Sequence, residues 1–275
     1  MSERIVLAAA LAAAMFAALT CGRADDPTAD AAGRSDGRGA DSSRTRYRVV
    51  VVTNGGRVEG VVELFGVTPP DTVVTITTNG DGQPPASASD STAAVCGGPT
   101  LLVSLVERQG NALGETVVWL ADLRTGKALP TARRFDVAND QCRIEPRVQA
   151  ALAGATLNVK SGDPILHRTR FRRVSSGETL ETVEHTDAGS VVPVERVLRR
   201  PGLVEVQSEL HPWMRGWIHV FDHPYFAVTS RDGRFALDTV PPGRWRLVAW
   251  HPRLGVRDTV VTVTEREVVR AGIRF

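Results

Sequence analysis

The chain has 275 residues, 42% hydrophobic and 23% charged, so one large domain or two small ones with packed cores fit its length. A net charge of +2 argues against nucleic acid or an anionic membrane surface as the main partner, because both demand concentrated positive charge. Three cysteines exclude a disulfide-dense scaffold and a four-cysteine zinc site.

The first element is a leader. Residues 5–19 form an apolar run behind Arg4, shorter than the roughly 20 residues of a spanning helix, and polar chain follows. Residues 1–24 therefore read as a secretory signal peptide. Cys21 stands directly after the apolar run, where a lipoprotein signal places the cysteine to be acylated, although Ala18-Leu19-Thr20 fits the usual recognition motif poorly. Lipoprotein and plain secreted protein both stay open. Either fate puts the mature chain in a secreted or periplasmic setting, with membrane contact only through an N-terminal lipid anchor. Residues 25–46 carry Asp, Gly, Ser and Arg with almost no large apolar residue; they bury too little to offset ordering and read as a disordered linker.

From Tyr47 the pattern is strand-like. Residues 49–53, 58–66, 72–78, 100–106, 115–123, 155–161, 203–208, 217–221, 244–250 and 258–264 are rich in β-branched residues, and Gly, Pro, Asn and Asp separate them. The best helical stretch is short, around Arg147–Ala153. Residues 80–99 read as a long loop, and Ser175–Gly189 as a second irregular region. Many short strands with regular turns predict an all-β fold of sandwiches or barrels.

Cys96 and Cys142 are the two cysteines of this region. Outside the cytoplasm such a pair forms a disulfide, the alternative being two buried thiols. Met214 is the sole methionine after the leader and lies three residues beyond His211, in a loop between the strand at 203–208 and the strand at 217–221. Imidazole and thioether suit copper, and a loop between strands aims both at one point. The plainer reading makes Met214 and Trp213 core residues and His211 a hydrogen-bonded loop residue.

Several longer runs carry a family likeness. They are Cys142-Arg143-Ile144-Glu145-Pro146, Asp163-Pro164-Ile165-Leu166-His167, His211-Pro212-Trp213-Met214, and Asp222-His223-Pro224-Tyr225-Phe226-Ala227-Val228-Thr229. On these residues the segment 115–229 resembles the cupredoxin-like proteins often labelled plastocyanin-like or methylamine-utilisation proteins. The resemblance implies a cupredoxin-like β-sandwich, assigned to residues 47–215, and a copper site at His167, His211 and Met214. It covers about half of the chain and weakens before Cys96. The departures carry as much information. The family has a cysteine three residues before the loop histidine, and here that residue is Ser208. A hydroxyl stays protonated near neutral pH and cannot replace the thiolate of a blue-copper centre. Where the family continues with Asn-x-His, this chain has Arg168-Thr169-Arg170, whose guanidinium groups would oppose a divalent ion. The implied site is degenerate: copper is the metal its donors suit, and no resident cofactor is expected.

Residues 216–275 read as a smaller β module. Gly233-Arg234-Phe235, Pro241-Pro242-Gly243 and Trp245-Arg246-Leu247 resemble a carboxypeptidase-regulatory or transthyretin-like sandwich, with Phe235, Trp245 and Leu247 inward. The 58–66 segment, with Gly60 between valines, could add a strand to it. Trp217, Tyr225, Trp245 and Trp250 are candidates to stack on sugar rings, against packing in the core. His219, His223 and His251 show no spacing that converges them on a metal, and His223 suits a turn whose ring caps backbone groups. No nucleophile elbow, phosphate loop or zinc-protease motif is present in the sequence. The expected protein is a non-catalytic binding or interaction protein with a protein or glycan partner in the cell envelope. The alternatives are a copper-binding or electron-transfer protein using His167, His211 and Met214, with Ser208 or water as a fourth donor, and a carbohydrate-binding module.

Overall fold

The computed structural model describes residues 47–76, 91–131 and 133–275. The expected leader, Cys21, the linker and the first part of the long loop lie outside the described residues. The described residues open with β1 (Arg48–Val49), β2 (Gly56–Glu63) and β3 (Thr72–Thr75). The short helix α1 (Ser91–Val95) follows, then β4 (Thr100–Val103), β5 (Arg108–Gln109), β6 (Ala112–Leu113), β7 (Val117–Ala121) and β8 (Thr125–Gly126). A dense run comes next: β9 (Arg134–Asp140), β10 (Arg143–Glu145), β11 (Val148–Leu152), β12 (Thr156–Ser161), β13 (His167–Arg173), β14 (Thr179–His185), β15 (Val191–Val194), β16 (Gly202–Ser208) and β17 (Arg215–Phe221). The last strands are β18 (Phe226–Val228), β19 (Arg234–Val240), β20 (Gly243–His251), β21 (Gly255–Val263) and β22 (Val268–Arg274). The protein is all-β.

Strands β9–β17 build one sandwich. One sheet runs β10-β9-β12-β15 and the other β11-β17-β16-β13-β14, with β9/β12 and β11/β17 parallel and the other neighbours antiparallel. The alternation in β12 and β16 turns Leu157, Val159, Val204 and Val206 inward, where they pack with Phe171 and Ile218. The disulfide joins Cys96, just beyond α1, to Cys142 in the turn after β9, with Cα atoms 5.2 Å apart.

The second sandwich is assembled from both ends of the chain. β2 lies between β19 and β22, and β7 lies between β18 and β20, which carries β21. The pairing therefore does not follow a division at residue 215. β17 belongs to the first sandwich, whereas β2 and β7 are central strands of the second. The physical reason is burial: the strands after 221 cover a core with Val58, Val62, Val118 and Leu120 only if β2 and β7 supply those side chains. Phe235 and Leu247 are buried and Trp245 half-buried in that core.

Two local expectations fail. Residues 147–153 are not helical; Val148–Leu152 is β11, in parallel register with β17 from Val148↔Trp217 to Leu152↔Phe221. Tertiary pairing outweighs the local propensity of an Ala-rich stretch. The irregular region at 175–189 contains β14, which pairs with β13. Its solvent-facing side is polar, which hides the strand period.

Gly60 sits where β2 is crossed most tightly. A Cβ there would overlap the backbone oxygen of Ala271 and press on the Phe235 ring. Gly60→Ala is expected to cost about 3 kcal/mol by overpacking, read as a lowered urea midpoint. An unchanged midpoint would mean that β22 can move away at no cost.

Candidate metal site

Asp163 lies in the turn between β12 and β13. Its Oδ1 accepts the Gln141 N–H at 2.7 Å, and its Oδ2 accepts the Cys142 N–H at 3.0 Å. The same Oδ2 is 2.9 Å from His167 Nε2. Burial alone would raise the Asp163 pKa, but these hydrogen bonds, His167 foremost, hold it below its ordinary value. The carboxylate fixes the imidazole with Nε2 as donor. In the neutral ring Nδ1 then carries the lone pair, and it is buried with no hydrogen-bond partner.

The second imidazole comes from the β16–β17 loop, which closes on itself. Met214 N–H donates to the His211 carbonyl at 2.9 Å, and Ser208 N–H to the Met214 carbonyl at 3.1 Å. His211 N–H donates to Ser208 Oγ at 3.0 Å. The Trp213 indole donates to the Cys142 carbonyl at 3.2 Å and ties the loop to the disulfide turn. The His167 and His211 rings are 5.2 Å apart, edge to face, and His211 Nδ1 is also buried and unpartnered. Burial, then the neighbouring His167, pushes the His211 pKa down to about 4, so its ring is neutral and free to ligate at neutral pH. Ser208 and Met214 are each 1% exposed. Met214 is part of the core of the first sandwich, so the plainer reading of that residue and a ligand role coexist.

His185 was not legible as part of this region. It is the cross-strand partner of His167 and is buried. Ser190 Oγ donates to the Asp187 carbonyl, so His185 Nδ1 must donate to Ser190 Oγ at 2.7 Å. His185 Nε2 is left buried without a partner. Even so, among the described residues no group of three His, Cys, Asp or Glu side chains is placed to hold a metal ion. The candidate set is two imidazoles and a thioether, with a hydroxyl beside them.

The guanidinium groups of Arg168 and Arg170 do not oppose the site as expected. Along β13 they alternate with His167, Thr169 and Phe171 and so face the other side of the sheet. There Arg168 pairs with Glu184 and Glu209, and Arg170 with Glu209. His219, His223 and His251 make contacts of their own. His219 stacks on Phe221, His223 Nδ1 accepts the Tyr225 N–H and His251 Nδ1 accepts the Arg253 N–H. Of the aromatic candidates for sugar stacking, Tyr225 is fully buried, and Trp217, Trp245 and Trp250 are half-buried against apolar cores.

The chain matches no protein-family description and no curated protein. Among solved structures it is similar to a copper-containing nitrite reductase from Thermus scotoductus SA-01, at 21% identity and a TM-score of 0.30. That match covers 36% of this chain and 24% of the reductase. A purple cupredoxin from Nitrosopumilus maritimus is similar at 16% identity and a TM-score of 0.27, over 32% of this chain and 99% of that one. Amicyanin from Paracoccus versutus is similar at 19% identity and a TM-score of 0.27, over 34% and 85%. No helix of the described residues is long and apolar enough to cross a membrane.

Proposed function

We propose that this is a non-catalytic, exported cupredoxin-like binding protein whose copper site has lost its thiolate and keeps only the imidazole–thioether half. His167, His211 and Met214 would hold copper, and Ser208 supports the loop instead of ligating. The observation that carries the reading is the pair of buried, unpartnered Nδ1 atoms on neighbouring rings. Buried imidazole nitrogens without a hydrogen-bond partner are costly unless something occupies them. A soft thioether with two neutral imidazoles, and no anionic donor, suits Cu(I) better than Cu(II). Copper so held supplies a one-electron centre without the covalent sulfur bond that gives a blue site. Export agrees with the leader and with a disulfide, which persists in an oxidising compartment.

Titrating Cu(I) against a chromogenic chelator tests this. One equivalent is expected to bind. His211→Ala should lower the affinity by about 100-fold, and Asp163→Asn, which releases the orientation of His167, by about tenfold. Equal affinities in all three proteins would remove copper from the account and leave a scaffold for protein or glycan partners.

A further inference from the structure

A cleft of about 920 Å³ opens between the two sandwiches, away from the histidine pair. One wall is the β15–β16 connection, residues 195–201. Val197 and Leu198 are fully buried and anchor it in the first core, and the Leu198 carbonyl accepts the Gly154 N–H at 2.8 Å. Arg173 fastens its far end by donating from Nη1 to the Arg200 and Pro201 carbonyls. This anchoring leaves Arg196, Arg199 and Arg200 exposed along the cleft. Among the described residues none of the three has a carboxylate within ion-pair distance, whereas Arg168, Arg170, Arg172 and Arg215 on the neighbouring strands are all paired.

The facing wall is aromatic. Trp119 from β7 meets His219 from β17 edge-on at 4.8 Å, and His219 stacks on Phe221 at 4.4 Å. Carboxylates of Asp122, Glu178 and Asp222 also border the cleft, but Asp122 is taken by Arg246. Guanidinium groups outnumber them, in a protein whose total charge nearly cancels. The volume is that of a small-molecule site. Unpaired arginines on a held loop match phosphate or carboxylate oxygens in bidentate geometry, and an aromatic wall suits the body of a ligand.

We infer that the cleft binds a small organic anion carrying two or more phosphate or carboxylate groups, with its charges on Arg196, Arg199 and Arg200 and its ring or apolar body on Trp119. The inference is independent of copper.

Calorimetry on the full chain at matched ionic strength tests it with pyrophosphate, citrate and benzene-1,3,5-tricarboxylate. At least one is expected to bind saturably: pyrophosphate if phosphate is the recognised group, the other two if carboxylate is. The double variant Arg199→Ala/Arg200→Ala should weaken that binding by at least about tenfold; both side chains are exposed, so the melting midpoint should not move. Trp119→Ala should reduce the affinity for the aromatic tricarboxylate and leave citrate and pyrophosphate unchanged. Absence of saturable binding for all three probes would overturn the inference, as would binding that the arginine variant leaves intact. A Trp119→Ala protein with undiminished tricarboxylate affinity would overturn the role of the aromatic wall.

Discussion

Replacing Ser208 by cysteine is expected to turn the copper-loaded protein intensely coloured. Ser208 ends β16, is 1% exposed and accepts the His211 N–H through Oγ, so a side chain there sits at the base of the loop that presents His211 and Met214. A sulfur at that atom keeps the weak acceptor role, because thiolates also accept backbone N–H groups. It would also add the one donor that His167, His211 and Met214 lack for a blue-copper centre. Among the described residues the new thiol has no free cysteine to compete for it, since Cys96 and Cys142 are bonded to each other. Cu(II) added to Ser208→Cys should give a strong visible charge-transfer band and a narrowed copper hyperfine splitting. Both should vanish in Ser208→Cys/His211→Ala. The parent protein should show neither under the same loading. A colourless Cu(II)-loaded Ser208→Cys protein would mean that the four positions do not face one point, and the degenerate-site reading would fall with it.

Acid should unfold the protein well above the range of ordinary carboxylates. Burial, with the nearby His167 second, pushes His211 to about 4. Burial and then His223 push His219 to about 4. Burial, then Arg147 and Arg253, pushes His251 to about 3. In the unfolded chain each returns to the usual value of about 6.5. Between these limits the unfolded state binds protons that the folded state refuses, so stability rises with pH. The contribution is complete above about pH 6.5 and is lost as pH falls through 4. Each group contributes at most about 1.4 kcal/mol per pH unit, so the three together give a slope of at most about 4 kcal/mol per unit inside the window. Urea midpoints measured from pH 7.5 down to 4.5 should fall steeply below about 6.5, and unfolding at pH 5.5 should take up about three protons. A flat midpoint across this window would mean that the imidazoles are hydrated and titrate normally.

Much of the strand layout was written locally. The alternation in 155–161, 203–208 and 217–221 gave away β12, β16 and β17, because a period of two decides which side chains face the core. The Cys96–Cys142 pair, the His-x-x-Met loop and the inward Phe235 and Leu247 could likewise be read from residue type and spacing. Other features had no local signal. The Ala-rich 148–152 is a strand only because β17 lies alongside it, and β14 hid behind a polar face. The outward turn of Arg168 and Arg170 depended on the register of β13, where Glu184 of β14 and Glu209 just past β16 pair with them.

What only the tertiary structure decided is long-range pairing and its leftovers. Segments 56–63 and 117–121 close the C-terminal sandwich because their apolar faces find cover there and nowhere nearer in the chain. Asp163 chooses the tautomer of His167 through contacts with a turn at 141–142. The unsatisfied nitrogens of His167, His185 and His211, and the unpaired guanidiniums of the 195–201 loop, appear only when every other partner in space has been assigned. The sequence by itself determined which residues could bury, turn or ligate. Which of them meet, and which are left without a partner, depends on contacts between strands far apart in the chain.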